Sequence, residues 1–584
     1  MFLAFRPTKR QWLFSLLIAV LGTVALGTYW QLPREDAHRF ALVLSASVMT
    51  ICGALWLTRS KRLRCFSLFA GLLLGATQLW GERLVRVGTV ASDAKDWALF
   101  VICTVCFAPA LGALFSILLQ AVERARAKAP RGAWLSPRIV FWGGAALLVL
   151  LWMPYLLAYY PGLFTYDISW QYQQYTEGMF STHHPLLHTL LVGWFCDLGS
   201  ALFGYPSKGL LLHSLFQMIM MALSMSAAIT QLYKRNAPKW LLITILLLDG
   251  LLPFNALMSI STTKDTLFAG AVLWLCVLTD QVLLEPAVLK KPSWVIRFIL
   301  ALAFAGMLRN NGFICLVAVA SLALVLVVRH RAYAKRLLAF ALCGTALFCA
   351  GNAGLKAAVG AGDGGIQELF SVPIQQLSRV YVMTDDEAKP EIAKYLPLAG
   401  DYSPPISDFV KGMFCVSKDQ LPQFLQLWLE VGLRHSTIYL DAWGFLIKGF
   451  FQLDDIPTGL YMETDFHEDQ TKWMIPYSLC PSLQSVLTQL YGRNGYLYIP
   501  IFSALISPAF WCWVMLWGLL AALYLRDRLA KGTSWILLML FSTVLMGPCV
   551  MLRYLYPVML AGPYLWGVML LAQAREETPK PQTV

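Results

Sequence analysis

Long apolar runs separated by short polar loops recur along most of this 584-residue chain. Many of them approach the roughly 20 residues that an α-helix needs to cross about 30 Å of hydrocarbon. Hydrophobic residues make up 58% of the sequence and charged residues only 14%, unlike the composition of soluble globular domains. A β-barrel would require short alternating strands in place of these continuous runs. The sequence therefore predicts an all-α polytopic membrane protein.

The apolar runs predict about fourteen transmembrane helices. Their approximate bounds are 11–30, 40–58, 65–80, 97–119, 139–159, 209–230, 240–257, 265–284, 294–308, 312–328, 337–358, 500–525, 534–552 and 554–573.

Clusters of Lys and Arg in the short loops set the predicted orientation. With these spans, all of the clusters fall on one side, which the positive-inside rule makes the cytoplasm. Both termini are then cytoplasmic, in a bacterial inner (cytoplasmic) membrane, and the first apolar run is an uncleaved signal anchor. The clusters are Arg6/Lys9/Arg10, Arg59/Lys61/Arg62/Arg64, Arg124/Arg126/Lys128/Arg131/Arg138, Lys234/Arg235/Lys239, Lys290/Lys291/Arg297, Arg329/Arg331/Lys335/Arg336 and Arg526/Arg528/Lys531.

One apolar segment, Pro185 to Phe203, does not fit this pattern as a full crossing. Counting it would place the Lys234 and Arg235 loop outside, so it is predicted as an interfacial or re-entrant helix on the outer face. The net charge of +13 is explained by cytoplasmic loops beside anionic lipid headgroups. No segment resembles a nucleic-acid-binding module, so we expect membrane lipids and no nucleic acid as partners.

Charge and hydropathy divide the chain into four parts. These are N-terminal accessory transmembrane helices (1–138), a transmembrane core (139–358) that includes an outer loop (160–208), an extracytoplasmic region (359–497), and C-terminal transmembrane helices with a cytoplasmic tail (498–584).

The region 359–497 holds 17 Asp and Glu against 9 Lys and Arg, opposite in sign to the cytoplasmic loops. It is therefore predicted to be mostly helical and extracytoplasmic, and a connection of that length is usually functional. Its stretch Leu421 to Leu453 is amphipathic and could lie on the membrane surface. It contains Cys415 and Cys480, for which a disulfide and a chance pair of cysteines are equally open.

The run YYPGLFTYDISWQYQQ, which follows the fifth predicted span, concentrates polar side chains at the membrane surface. If ISWQYQQ is helical, three- and four-residue spacing puts Asp167, Trp170, Gln171 and Gln174 on one face. A carboxylate base, a ring and two amides suit a sugar hydroxyl. The alternative is that Asp167 only caps the short helix, because Asp is a favoured N-cap residue.

Histidines follow in the same loop. His183 and His184 precede Pro185, and His188 lies one turn after His184. Clustered Asp and His can ligate zinc, but adjacent histidines point in different directions and no further ligand stands at the usual spacing. Hydrogen bonding to a phosphate or to Asp167, and a purely structural role, are the other interpretations. No cofactor is assigned, and a divalent metal remains open.

Three further sites on the predicted outer face carry cations. Lys264 and Asp265 begin the eighth span, Arg309 lies in the turn LRNNG, and Arg553 with Tyr554 begins the last span. A lysine at a helix start opposes the macrodipole, which an anion there would explain. Together these cations describe a pocket for a phosphate, although snorkelling or anchoring at the membrane edge is the alternative.

Two acidic residues lie within spans. Asp249 and Asp280 would suit a proton relay in a transporter. Asp280 is predicted near the cytoplasmic end of its span, where it can reach water. Only the role of Asp249 is then unexplained.

An outer loop with an acidic residue, short amphipathic helices and a second acidic residue at a later span is similar to the GT-C superfamily of membrane glycosyltransferases. Within it, the chain resembles a bacterial polytopic family of unknown function. The motifs that carry the resemblance are PGLFTYDISWQ, HHPLLHTLL, KDTLFAG, LRNNG, PIQQLSR, which ends at Arg379, and RYLYP, which begins at Arg553.

The resemblance implies transfer of a sugar from a polyprenyl-phosphate donor to a cell-envelope glycan or lipid acceptor. Asp167 falls at the general-base position and Asp265 at the second acidic position, while Lys264, Arg309 and either Arg379 or Arg553 would hold the phosphate. Asp167 lacks the neighbouring carboxylate that superfamily members often have, which weakens a metal-dependent version. A polysaccharide or lipid transporter or flippase, and a non-catalytic assembly subunit, are the alternatives.

Overall fold

The structure, a computed structural model, describes residues 7–33, 35–126, 134–455, 464, 474, 477–493 and 495–571. This part of the chain contains 24 α-helices and no β-structure beyond isolated bridges, which confirms the all-α prediction. The basic residues Arg6, Lys128 and Arg131, most of 456–476 and the tail 572–584 lie outside the described residues.

The first four helices pack together, and the third and fourth are in backbone contact. A Cβ atom on Gly71 would lie 2.1 Å from the backbone oxygen of Ala108, and one on Gly112 would lie 2.3 Å from that of Ser67. Small residues at these positions let α3 and α4 approach closely, as is common between helices in membranes. The four are α1 (Lys9–Tyr29), α2 (Asp36–Leu57), α3 (Lys61–Val87) and α4 (Ala94–Arg126).

A central group of ten helices includes α11. This helix is apolar on all sides and most of its residues are buried against α8, α12, α23 and α24. The ten are α5 (Pro137–Ala158), α6 (Ile168–Glu177), α7 (Leu186–Phe203), α8 (Pro206–Lys234), α9 (Lys239–Leu251), α10 (Pro253–Ile260), α11 (Lys264–Leu284), α12 (Pro292–Leu308), α13 (Phe313–Val328) and α14 (Ala334–Val359). Four helices at the C-terminal end complete the bundle: α21 (Phe502–Leu505), α22 (Pro508–Tyr524), α23 (Arg528–Val544) and α24 (Tyr556–Met569).

The acidic region forms short helices with a hydrophobic cluster of their own, which includes Ile374, Leu377, Phe424 and Val431. It rests on the end of α3, where a Cβ on Gly444 would lie 2.7 Å from the Trp80 ring. Every one of the 13 cysteines lies in the described residues and is free. The helices are α15 (Ser371–Met383), α16 (Lys389–Tyr395), α17 (Asp408–Lys411), α18 (Leu421–Arg434), α19 (Ser436–Ile447) and α20 (Pro481–Leu487).

Ten helices in the described residues are long and apolar enough to cross a membrane, or eleven if the pair α9 and α10, bent by 54°, is one span. This makes the chain a multi-pass membrane protein by length and composition. The ten include α7, which was predicted to lie at the interface, while α12 and α22 are apolar but shorter.

The predicted span 534–552 is displaced toward the N-terminus in the structure. Helix α23 begins earlier because the Asp527 carboxylate accepts hydrogen bonds from the backbone N–H groups of Leu529 and Ala530, both at 3.1 Å. It ends at Val544, before Gly547 and Pro548.

Candidate functional site

The loop that carries Asp167 is attached to the start of α11 by backbone hydrogen bonds. Leu163 N–H donates to the carbonyl oxygen of Ile260 at 3.0 Å, and Thr262 N–H donates to that of Leu163 at 2.8 Å. The turn before it needs glycine, because Gly162 has a φ of +138° and a Cβ there would lie 2.1 Å from Ser214 Oγ. Residues almost a hundred positions apart in the chain are thereby held side by side.

Asp167 occupies the N-cap position of α6, but its side chain makes no capping hydrogen bond. Its carboxylate instead accepts a hydrogen bond from Lys264 Nζ at 2.6 Å, and an Arg553 guanidinium nitrogen lies 3.7 Å away. The Lys264 side chain is only 14% exposed. Capping by Asp167 and snorkelling by Lys264 are therefore both wrong, and the anion at the start of α11 is the Asp167 carboxylate.

Charge and burial shift the pKa values of Asp167 and of His184 beside it. Burial acts to raise the pKa of Asp167, but the positive charges of Lys264 and Arg553 outweigh it and hold the pKa well below its usual value. His184 lies 3.3 Å from Lys264 through its Nδ1 atom. Burial and the Lys264 charge lower the pKa of His184 to about 3, so the ring is neutral near pH 7 and its Nδ1 can accept from the lysine.

The second carboxylate, Asp265, is fully buried. It forms an ion pair with Arg309, lies 3.6 Å from Arg553, and accepts a hydrogen bond from the Thr263 hydroxyl at 3.1 Å. Arg553 therefore lies between the two carboxylates. An unpaired buried carboxylate would be costly, and these arginines supply the opposite charge at the end of an apolar helix.

Aromatic rings orient the two arginines. The Arg553 guanidinium carbon lies 4.3 Å from the centre of the Tyr166 ring and 5.2 Å from that of Tyr554. The Arg309 guanidinium carbon lies 5.0 Å from the same Tyr554 ring. Two nitrogens of Arg553 are buried and have no hydrogen-bond partner in the described part of the chain. This arginine therefore retains donors for a further acceptor.

We refer to Asp167, Lys264, Asp265, Arg309 and Arg553 as the charged cluster. Its three cations outnumber its two carboxylates, and the neutral His184 ring adds no charge. The cluster therefore carries a formal excess of one positive charge in a largely buried position. Such an excess favours an anion.

Several predicted site residues do not join the cluster. Trp170 is 66% exposed, whereas Gln171 is 2% exposed and bonds to His188 at 2.8 Å, so the two side chains do not form one binding face. Gln174 bonds to Ser181 at 3.2 Å. Neighbouring helical residues diverge in direction, which explains the separation.

His183 contributes through its backbone, since its carbonyl oxygen accepts from Asn310 Nδ2 at 2.8 Å. Its ring packs edge-on against that of His184, with centroids 4.6 Å apart.

Arg379 lies elsewhere. It donates hydrogen bonds to the Gly88 carbonyl oxygen at 2.6 Å and to the Tyr402 hydroxyl at 3.1 Å, and it lies 3.9 Å from Asp441. Helix α15 packs on α19, and α19 packs on the end of α3. Arg379 therefore links the acidic region to the N-terminal helices. We therefore exclude Arg379 from the candidate site.

The two acidic residues within spans are both buried. Asp280 is 1% exposed and accepts hydrogen bonds from Tyr564 at 2.8 Å and from Thr533 at 3.2 Å, so the expectation that it reaches water is wrong. Asp249 is 5% exposed, and its backbone oxygen accepts from Asn255 at 3.1 Å. The two carboxylates do not form a chain of hydrogen bonds in the described residues.

Two residues that position the site were missed by the sequence reasoning. Tyr166 supports Arg553, and Gln217 donates to the carbonyl oxygens of Met258, Ser259 and Ser261 at 2.7 to 3.1 Å. Gln217 thereby satisfies the backbone at the break between α10 and α11. A glutamine inside a predicted span was a usable signal, because buried amides in membranes need partners. For Tyr166, the sequence offered no signal beyond its position next to Asp167.

A cavity of about 320 Å³ opens beside His184 between α7, α12 and α14. Asn310, Asn352 and Lys356 line part of it, and Met307 and Phe348 line another part. Polar groups near the charged cluster and apolar side chains therefore line one cavity.

No group of three or more His, Cys, Asp or Glu side chains is arranged to hold a metal ion in the part of the chain that the structure describes. Asp167 and Asp265 face cations, and His184 faces Lys264. The residues present do not fit a divalent metal at this position.

These features define a multi-pass helical membrane protein with a partly buried, cation-rich site where a loop meets the start of a central helix. The chain belongs to a family of unknown function (DUF6020), whose model matches residues 175–583. Lys264, Asp265, Arg309 and Arg553 lie inside the matched range, and Asp167 lies shortly before it. No curated protein and no solved structure matches the chain.

Proposed function

We propose that the protein is a membrane glycosyltransferase of the GT-C type. It transfers a sugar from a polyprenyl-phosphate donor to a cell-envelope acceptor, with the charged cluster as its active site. The observation that carries the proposal is the excess of cations around two carboxylates, beside a cavity that apolar side chains of α12 and α14 partly line.

The proposed topology has fourteen spans, formed by α1 to α5, α8, the pair α9 and α10, α11 to α14, and α22 to α24. Both termini are then cytoplasmic and 359–497 is extracytoplasmic. Every member of the charged cluster falls at the outer end of its helix or in an outer loop, which agrees with their contacts in the structure.

Helix α7 is an interfacial helix in this topology. It is long and apolar enough to span, but counting it as a span would put the loop that carries Lys234 and Arg235 on the outer side, against the positive-inside rule.

The phosphate of the donor would bind among Lys264, Arg309 and Arg553, and Tyr554 would hold both arginines in orientation. Two nitrogens of Arg553 that make no hydrogen bond to the described residues would supply donors. The polyprenyl chain would leave through the cavity between α12 and α14, where Met307 and Phe348 offer apolar contacts. Charge-assisted hydrogen bonds would stabilise the leaving phosphate as the glycosidic bond breaks.

Asp167 is the proposed general base. In the structure its basicity is suppressed by Lys264, which holds the pKa well below its usual value. A bound phosphate would compete for Lys264 and leave Asp167 freer to accept a proton. The acceptor hydroxyl then attacks the anomeric carbon, its proton passes to Asp167, and the polyprenyl phosphate departs with the electron pair of the broken bond.

Asp265 has a different role in this scheme. Fully buried and paired with Arg309, it cannot reach a substrate, and it would position the two arginines instead. This differs from the direct catalytic part that the superfamily resemblance implies for the second acidic position.

A deletion strain tests the proposed function. Loss of the protein should remove a glycan modification or accumulate a polyprenyl-phosphate sugar, both measurable by mass spectrometry of envelope extracts. Wild type and Glu177→Gln should restore the profile, because Glu177 is an exposed acid on α6 outside the cluster. Asp167→Asn should not. An unchanged lipid-linked sugar pool with an altered distribution of a finished polymer would indicate a transporter instead.

Donor binding can be measured separately with a polyprenyl phosphate as the probe. Lys264→Ala or Arg309→Ala should weaken its binding by about 1–3 kcal/mol, the range for a hydrogen bond to a charged group. Unchanged affinity in both variants would return these residues to a structural role.

A further inference from the structure

A second cation-rich site lies at the opposite end of α11 from the charged cluster. Two adjoining cavities of about 250 and 370 Å³ share the lining residues Gln231, Lys234, Gln281 and Arg297. Gln281 lies 17 residues after Lys264 on the same helix, which corresponds to about 25 Å along its axis. This site is therefore separated from the charged cluster by most of the thickness of a membrane.

Positive charge dominates the lining of the two cavities. They are lined by the cations Arg138, Lys234, Arg235, Lys291 and Arg297 and by one acid, Glu285. None of these cations has a salt-bridge partner within 4.0 Å among the described residues. They come from the ends of three helices and from the loop before α12, so the fold gathers them around one space.

Buried polar groups in the lining lack partners as well. Trp294 is 1% exposed and Thr230 is 7% exposed, yet the Trp294 Nε1 and Thr230 Oγ1 atoms have no hydrogen-bond partner in the described part of the chain. One guanidinium nitrogen of Arg235 is likewise buried and unpartnered. Buried polar atoms are normally satisfied, so these donors indicate a ligand with several acceptor oxygens.

The 250 Å³ cavity also has an apolar side. Phe141, Trp142, Trp274 and Val277 line it, and Trp142 is 63% exposed on the outside of α5. The site is therefore basic and donor-rich on one side and apolar where it meets the membrane-facing surface. A soluble anion would need only the first of these features, whereas a lipid with a phosphate headgroup would use both.

We propose that these two cavities form a binding site for an anionic phospholipid, with the phosphate headgroup among Lys234, Lys291 and Arg297 and an acyl chain along Trp142. Basic pockets between transmembrane helices are a recurrent way to bind such headgroups. This site is independent of the proposed glycosyl transfer. Its ligand would bind at the opposite end of α11 from the charged cluster.

The test compares two triple variants with the same loss of charge. The site variant is Lys234→Gln with Lys291→Gln and Arg297→Gln. The control is Arg329→Gln with Lys335→Gln and Arg336→Gln, three exposed cations just after α13 and in the first turn of α14. Native mass spectrometry of the purified full chain would measure bound phosphatidylglycerol against phosphatidylcholine, and a thermal melt would confirm that each variant is folded.

Wild type and the control should retain phosphatidylglycerol in preference to phosphatidylcholine, and the site variant should lose at least about tenfold in occupancy. Inorganic phosphate at millimolar concentration should not displace the lipid. Equal losses in both variants, or no loss in the site variant, would overturn the proposal. Displacement by inorganic phosphate alone would assign the site to a soluble anion and also overturn it.

Discussion

The buried ion pair between Asp265 and Arg309 should contribute strongly to the free energy of unfolding. Asp265→Asn removes the negative charge from a fully buried position and leaves Arg309 and Arg553 facing a neutral amide. Breaking a buried ion pair from one side costs about 3–5 kcal/mol. We expect the lower end of that range, because Asn can still accept the hydrogen bond from Thr263.

Arg309→Met should cost less, because Arg553 still lies 3.6 Å from Asp265. The double variant Asp265→Asn with Arg309→Met should then be more stable than the sum of the two single losses in unfolding free energy predicts. A coupling of about 1–3 kcal/mol is typical of groups in one charged network. Unfolding of purified protein in mixed micelles would supply the free energies, with Asp363→Asn as an exposed control. Losses that simply add would refute a coupled network at the start of α11.

Three other predictions follow from the structure. Burial and Lys264 lower the pKa of His184 to about 3, so the unfolded chain binds one more proton than the folded chain between about pH 6.5 and 3. The free energy of unfolding should therefore fall on acidification. In pH-dependent melts, His184→Gln should remove roughly 3 kcal/mol of the loss between pH 6.5 and 4. Gly162→Ala should lower the melting temperature, since it strains a positive φ and meets Ser214, and an unchanged melt would contradict that turn. In a background whose native cysteines are replaced, a membrane-impermeant thiol reagent should label Asp401→Cys but not Lys234→Cys in intact cells, and labelling of the latter would refute the orientation.

The sequence predicted the helical class and most of the long apolar helices because membrane spans are read from local composition. It was less accurate at α23, where the cap by Asp527 starts the helix before the apolar run does. The bend of 54° between α9 and α10 lies inside one predicted span, 240–257, at Pro253, the first residue of α10. The break between α10 and α11 depends on Gln217, which donates to the carbonyl oxygens of Met258, Ser259 and Ser261. Which carbonyl groups a glutamine satisfies cannot be seen in the local sequence.

The cluster itself was partly predictable. Alternation of spans puts Asp167, Lys264, Arg309 and Arg553 at the same end of the bundle, and the structure brings these four together with Asp265. Which residues share an end follows from topology, but which of them touch depends on packing. The exclusion of Arg379, which also belongs to a polar motif, required the contact between α15 and α19.

Turnover by Asp167→Asn is the most direct test of the central claim that this carboxylate acts as a base. Asn preserves the size of the side chain but cannot take a proton, and positioned proton removal contributes roughly 10²–10⁴-fold to rate. The substrates would be lipid-linked sugars and acceptor from envelope extracts of the deletion strain, with Glu177→Gln as the control. We predict a folded Asp167→Asn protein that binds polyprenyl phosphate at least as well as the wild type and transfers sugar about 10²-fold or more slowly. Transfer within a few-fold of wild type would contradict the claim.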